Sequence, residues 1–231
     1  MVMSPALRAP LAAVFFDLDG TLADTATDLS LPINAMREAQ GLPALQLAEL
    51  RPHASHGARG LIGKGLGLGP DHPRYETLRL DFLARYEAAM VVHTQLFEGM
   101  HDVLAALDAQ GIRWGVVSNK VERYVRPIMK ALGVLDRSVS AVGGDTTPHA
   151  KPHPEPLLHA ARLAGVDPRA CVYVGDDLRD VHAGRAAGMA TVAAAYGYCS
   201  DGAPVSEWGA DALIHHPLEL LGPLGLLHSA K

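Results

Sequence analysis

Asp17 and Asp19 are separated by a single residue. They come directly after the apolar run 14–16, and Gly20 follows them. Two carboxylates held at the end of a buried strand repel each other unless a cation or a proton lies between them. Carboxylate oxygens are the ligands that Mg²⁺ prefers. The pattern therefore indicates a magnesium-dependent phosphoryl-transfer site. An acidic turn is the alternative reading of Asp-x-Asp alone, but it explains the whole string 16–22 less well.

Neutral polar and cationic residues follow two other apolar segments. Ser118 and Asn119 come after the run 113–117, and their hydroxyl and amide groups suit phosphate oxygens. Lys151 precedes three prolines within 152–156, which restrict the backbone around its positive charge. Each feature taken alone is also ordinary: Ser-Asn is common at helix starts, and a single lysine in a loop is usually solvated.

A second acidic group, Asp176, Asp177 and Asp180, follows the apolar run 170–174. These carboxylates are able to complete a site for a hard cation together with Asp17. The N-terminus of a helix also favours aspartate through its dipole. That explanation covers Asp177 or Asp180, but not all three residues.

The composition narrows the class of protein. The chain has 231 residues, 48% apolar and 19% charged, which is enough for a substantial core. A net charge of −5 argues against a non-specific nucleic-acid partner. Cys171 and Cys199 match no disulfide or zinc spacing. No segment approaches the length of a membrane helix, so a cytoplasmic location is expected.

Short apolar runs alternate with helical patterns, which predicts a doubly wound α/β fold with a parallel, Rossmann-like sheet. Glycines 111, 133, 165 and 188 mark the helix ends. The predicted strands are 13–16, 113–118, 140–142, 170–174, 190–194 and, more weakly, 212–214; the predicted helices are about 100–110, 121–132, 154–164 and 178–187.

Residues 22–96 contain no convincing strand and only helical periodicity, which predicts an inserted all-α cap domain. The predicted core domain is then 1–21 together with 97–231. In an open α/β sheet the site lies at the carboxyl ends of the strands. A cap inserted directly after Asp19 is therefore well placed to cover that site.

Four ordered motifs together resemble those of the haloacid dehalogenase-like hydrolases. They are Asp17-x-Asp19-Gly20-Thr21, Ser118-Asn119, Lys151, and Gly175-Asp176-Asp177-x-x-Asp180. The helical insertion is similar to that of the C1-cap subgroup, which includes phosphoglycolate phosphatases. The segment 173–197 and the string 114–117 also resemble a branch that acts on N-acetylmuramic acid 6-phosphate.

The resemblance implies a role for each motif. Asp17 would be the nucleophile that forms an aspartyl-phosphate, and Asp19 the general acid and then the general base. Mg²⁺ would be held by Asp17, the Asp19 carbonyl and Asp176, with Asp177 and Asp180 in support; which of these two lies nearer the metal is left open. The phosphate would be bound by Thr21, Ser118, Asn119 and Lys151.

The resemblance also implies a small phosphate ester as substrate, with no nucleic acid or membrane partner. We expect cap residues His56 and Arg59 to contact it, with Arg59 able to bind a carboxylate. An Arg59 that simply faces solvent is equally compatible with the sequence. The first expectation is 2-phosphoglycolate; the alternatives are N-acetylmuramic acid 6-phosphate and a phosphosugar mutase reaction. Both monomer and dimer remain open.

Overall fold

A parallel sheet of six strands forms the centre of the molecule, as seen in a computed structural model that describes residues 11–200 and 202–226. The sheet strands are β1 (Ala13–Phe16), β4 (Arg113–Val117), β5 (Ala141–Val142), β6 (Cys171–Gly175), β7 (Ala190–Ala194) and β8 (Ala212–Ile214), within one residue of the predicted bounds at each end. Their order in the sheet is β5-β4-β1-β6-β7-β8. This confirms the predicted α/β class.

Strand β1 occupies the middle of the sheet and pairs with β4 on one side and β6 on the other. All four of its residues are buried, because helices cover both faces of the sheet. A continuous apolar run is the sequence signature of such a strand. Asp17 is thus the first residue to leave the sheet at its centre, where the strand order changes direction.

Four helices pack on the sheet: α5 (Met100–Ala109), α6 (Glu122–Ala131), α7 (Glu155–Ala164) and α8 (Leu178–Ala186). A glycine with positive φ follows each of them at position 111, 133, 165 or 188. The predicted helix ends are confirmed, since glycine adopts this left-handed conformation without a Cβ penalty. Cys171 and Cys199 are both free thiols, the first buried and the second half-buried.

The inserted segment forms four helices, α1 (Ala26–Glu38), α2 (Leu47–Ala54), α3 (Gly57–Leu66) and α4 (Tyr75–Ala89). Leu29, Ile33 and Phe82 are buried where these helices meet. The buried carboxylate of Asp28 accepts hydrogen bonds from the backbone of residues 92–94, which ties the returning chain to α1. No helix in the described part of the chain is both long and apolar enough to cross a membrane.

The expectation that 22–96 contains no strand is wrong in one detail. Residues Ala23–Asp24 (β2) and Gln95–Leu96 (β3) form a short antiparallel ribbon where the chain leaves and re-enters the core. Two residues are too few to produce a periodic pattern, so the pairing comes from the closeness of the two crossings. The predicted cap bounds, 22–96, coincide with this ribbon but stay a prediction. The predicted core bounds include residues 1–10, 201 and 227–231, which lie outside the described residues.

Candidate active site

The polar groups that follow β1, β4 and β6 meet at one edge of the sheet, together with Lys151 from the loop after β5. An amide pair fixes two of these loops to each other: Asn119 Nδ2 donates to the Lys151 carbonyl at 2.9 Å, and the Lys151 N–H donates to Asn119 Oδ1 at 2.9 Å. The Asn119 amide therefore positions Lys151. Ser118 lies beside it, and both Ser118 and Asn119 line the same cavity as Asp17.

Asp17, Asp176 and Asp180 form a carboxylate cluster, with one oxygen from each lying within 4.8 Å of the others. Lys151 Nζ lies 3.1 Å from Asp17 Oδ1 and 2.7 Å from Asp180 Oδ1. Burial alone would lower the pKa of the Lys151 ammonium, but the charges of Asp17 and Asp180 outweigh it and raise that pKa. The Lys151 ammonium thus pairs with two of the three carboxylates.

Asp176 is the most enclosed member of the carboxylate cluster. Burial, followed by repulsion from Asp17 and Asp180, raises its pKa well above the ordinary value. Thr21 Oγ1 donates to Asp176 Oδ1 at 2.7 Å, and the Tyr198 N–H donates to Oδ2 at 2.8 Å. A Cβ at Gly20 would collide with this carboxylate, so the Asp-x-Asp-Gly string needs its glycine for the close approach.

The contacts of Asp176 bear on the predicted phosphate-binding role of Thr21 and on the predicted metal site. Thr21 is fully buried and its hydroxyl points at Asp176, so the structure places it behind the carboxylate cluster and not among the groups that line the cavity. The cluster fits a divalent cation: its donors are all carboxylate oxygens, they are crowded, and they carry more negative charge than Lys151 balances.

Asp177 and Asp180, which the sequence could not rank, have different partners. Asp177 accepts from the Arg179 side chain at 2.8 Å and from Ser200, and these contacts outweigh burial and lower its pKa. It also caps α8. Asp180 points into the carboxylate cluster, where burial, opposed by Lys151, raises its pKa. Asp180, and not Asp177, therefore belongs to the carboxylate cluster.

Asp19 is held by Lys120, which was not among the predicted site residues. Asp19 Oδ1 accepts from Thr25 Oγ1 at 2.5 Å and lies 3.0 Å from Lys120 Nζ. Burial alone would lower the pKa of Lys120, but Asp19 outweighs it and raises that pKa. The ammonium of Lys120 also lies over the ring of Tyr86, 4.7 Å from its centroid. Adjacency to Ser118-Asn119 was the only sequence signal for Lys120.

A cavity of about 360 Å³ lies between these groups and the cap helices. Two contacts hold the cap on the core beside it: Arg179 donates to the Ser55 carbonyl at 3.0 Å, and the Arg51 guanidinium lies over the ring of Tyr198, 5.0 Å from its centroid. The cavity brings cap residues and catalytic candidates together. Its core side includes Asp17, Asp19, Ser118, Asn119, Lys120 and Lys151, and its cap side includes Ser55, His56, Arg59, Phe82, Leu83 and Tyr86.

The model of the haloacid dehalogenase-like hydrolases matches residues 14–194. The chain belongs to this family, as its motifs predicted. It is 43% identical over 217 residues to an N-acetylmuramic acid 6-phosphate phosphatase of Pseudomonas aeruginosa. The alignment covers 94% of this chain and 96% of the relative. It is 46% identical over 212 residues to a phosphoglycolate phosphatase of Xanthomonas campestris pv. campestris, which covers 91% and 95%.

Solved structures agree with this placement. A predicted phosphoglycolate phosphatase from Haemophilus somnus superposes with a TM-score of 0.79 at 26% identity, over 93% of this chain and 98% of the other. The predicted family and enzyme class, a phosphoric monoester hydrolase, are confirmed. The relatives divide between two substrates at similar identity, so similarity alone does not choose between them.

Proposed function

We propose that this protein is a Mg²⁺-dependent phosphatase that hydrolyses the phosphate ester of an acidic amino sugar, N-acetylmuramic acid 6-phosphate, through an aspartyl-phosphate on Asp17. The single observation behind the choice of substrate is the cavity of about 360 Å³, whose cap side is formed partly by Phe82 and Tyr86. Sites of that size and lining suit a ligand with a ring. A two-carbon acid would fill only part of it.

The nucleophile is Asp17 Oδ2. Asp17 Oδ1 accepts the Leu18 N–H at 2.7 Å and pairs with Lys151 at 3.1 Å. Because both contacts fall on Oδ1, they fix the plane of the carboxylate and leave Oδ2 directed at phosphorus for in-line attack. Lys151 also neutralises part of the charge that would otherwise keep a carboxylate and a phosphate dianion apart.

Asp19 acts as the general acid and then as the general base. It donates a proton to the sugar oxygen as the ester bond breaks, and then accepts one from the water that hydrolyses the aspartyl-phosphate. Thr25 and Lys120 both contact Asp19 Oδ1, so the orientation of this carboxylate is set before substrate arrives. Ser118 lies on the cavity wall and donates its hydroxyl to a phosphoryl oxygen.

Asp17, Asp176 and Asp180 would hold the metal ion, together with the Asp19 carbonyl. When bound, Mg²⁺ supplies positive charge that offsets the crowded carboxylates and the transferring phosphoryl group. Asp177 and Thr21 contribute indirectly, the first by capping α8 and the second by orienting Asp176.

The second candidate substrate is 2-phosphoglycolate. Arg59 on the cap side of the cavity favours both candidates, because each carries a carboxylate. The names of the relatives support both as well.

The test is phosphate release with Mg²⁺ from the two esters, compared as kcat/KM, with Asp17→Asn as background. A preference of more than about a hundredfold, roughly 2.7 kcal/mol of transition-state binding, assigns the substrate. A phosphosugar mutase would instead return an isomeric sugar phosphate with little free phosphate. Turnover of neither ester above the Asp17→Asn background would overturn the proposal.

A further inference from the structure

Two hydroxyl groups on the cap side of the cavity lack hydrogen-bond partners. Within residues 11–200 and 202–226, only three buried side-chain oxygens are without one: Ser55 Oγ, Tyr86 Oη and Ser140 Oγ. Ser55 and Tyr86 line the cavity, and Ser140 does not. Burying a hydroxyl without a partner is energetically unfavourable, so such groups are uncommon unless something binds them.

Tyr86 is fixed in place by its neighbours. It is only 2% exposed, and its ring packs edge to face on Tyr124 with centroids 5.6 Å apart. The Lys120 ammonium lies over the face of the same ring and interacts with the hydroxyl oxygen, whose own O–H has no acceptor within the described residues. The ring cannot turn away without losing both contacts, so the hydroxyl is held in one position on a residue that lines the cavity.

Ser55 is held from the core side. Arg179 donates to the Ser55 carbonyl at 3.0 Å, and Asp177 fixes Arg179 through hydrogen bonds to Nε and Nη2. The backbone at Ser55 is therefore anchored, while its buried hydroxyl has no hydrogen-bond partner within the described residues. Preorganised groups of this kind bind with a smaller loss of conformational entropy.

The chemistry around the two hydroxyls favours an uncharged partner. Lys120 is the cation nearest to Tyr86 by the contacts described, and its charge is already paired with Asp19 at 3.0 Å. A hydroxyl both donates and accepts, so it matches a sugar hydroxyl or an amide. A carboxylate would be better served by Arg59 in the same cavity.

We propose that the Tyr86 and Ser55 hydroxyls recognise uncharged hydroxyl or amide groups of the substrate and so select a sugar phosphate over a short acid phosphate. The inference rests on the proposed phosphatase function and specifies which groups of the substrate the cap recognises. A site with polar groups placed for a ligand discriminates strongly against a substrate that leaves them unpaired.

The experiment measures kcat/KM for Tyr86→Phe and Ser55→Ala on three esters: N-acetylmuramic acid 6-phosphate, N-acetylglucosamine 6-phosphate and 2-phosphoglycolate. Each variant should lose about tenfold on at least one sugar phosphate, as expected for one hydrogen bond, and keep its rate on 2-phosphoglycolate. The same substitutions in an Asp17→Asn background should weaken binding of the intact sugar ester by a similar factor.

The matched control is Ser140→Ala, which removes the third hydroxyl without a partner, outside the cavity. It should leave all three rates unchanged. If the Tyr86 and Ser55 variants match the wild type on the sugar esters, or lose equally on all esters, the inference is overturned while the phosphatase stands. A wild-type protein that hydrolyses only 2-phosphoglycolate likewise overturns the inference and leaves the phosphatase function in place. No activity on any ester above Asp17→Asn overturns both.

Discussion

The two walls of the cavity differ in how their polar groups are partnered. On the core wall each charged candidate has a fixed counterpart: Lys151 for Asp17 and Lys120 for Asp19. On the cap wall the Ser55 and Tyr86 hydroxyls have none, and Arg59 is exposed. Groups that carry out a reaction need orientation before substrate arrives. Groups that select a substrate need hydrogen-bonding capacity left for it.

The way each wall is built accounts for this difference. The core groups emerge from the ends of neighbouring parallel strands, which are held in register by the sheet. The cap groups lie on α4 and at the junction of α2 and α3, and contacts such as Arg179 to the Ser55 carbonyl join the two walls. Substitutions in the core should therefore affect every substrate, and substitutions in the cap should affect some more than others.

The largest expected effect is that of Asp17→Asn. It removes the nucleophile from the core wall, so kcat should fall at least about a thousandfold on every phosphate ester. Phosphate release is the assay, and Asp167→Asn, an exposed aspartate paired with Arg169, is the control that should retain full activity. Turnover within tenfold of the wild type would show that the core wall does not hold the nucleophile.

Removal of the metal should have the second largest effect on activity. Asp17, Asp176 and Asp180 are crowded together and balanced by a single ammonium, so chelation should reduce kcat at least about a hundredfold. Adding Mg²⁺ at about a hundred times its Kd should stabilise the folded protein by about 2.7 kcal/mol, a rise of a few degrees in Tm. Asp176→Asn should abolish that rise. A Tm that does not change when Mg²⁺ is added would contradict the metal assignment.

The meeting of the strand-end residues on the core wall could be predicted from the sequence, whereas the contacts between the two walls could not, for physical reasons. Asp17 and Asp176 follow buried strands, whose apolar runs are a strong local signal and whose carboxyl ends must meet. The pairing of Lys120 with Tyr86 joins residues from the core and from α4, and only the packed tertiary structure brings them together.

Side-chain direction was the other part that could not be predicted. Asp177 and Asp180 both lie at the start of α8, three positions apart, and either could have faced the metal. Arg179 and Ser200 bind Asp177 and decide the choice. The Asn119 side-chain amide likewise forms its hydrogen bonds with the backbone of Lys151. The spacing of the two residues in the sequence does not reveal this contact.

Lys120→Met tests whether the lysine between the two walls belongs functionally to the core. Asp19 would lose its cation, so kcat should fall about tenfold to a hundredfold by the same factor on sugar and acid esters, part of what general acid–base catalysis contributes. The Tm should also fall, because a largely buried carboxylate is left unpaired. Lys130→Met, an exposed lysine on α6, is the control. A loss confined to one ester would place Lys120 with the selecting groups instead.

The smallest expected effect, and the sharpest test of the cap wall, is that of Arg59→Gln. Arg59 is exposed, so an ion pair with a substrate carboxylate is partly screened and should be worth about three- to tenfold in kcat/KM. N-acetylmuramic and N-acetylglucosamine 6-phosphates differ by the lactyl carboxylate, so only the first should be affected. Arg79→Gln, which breaks an ion pair with Glu76 elsewhere on the cap, should change neither rate. Equal losses on both sugars would mean that Arg59 attracts the phosphate, and the cap wall would then select substrates through its hydroxyls alone.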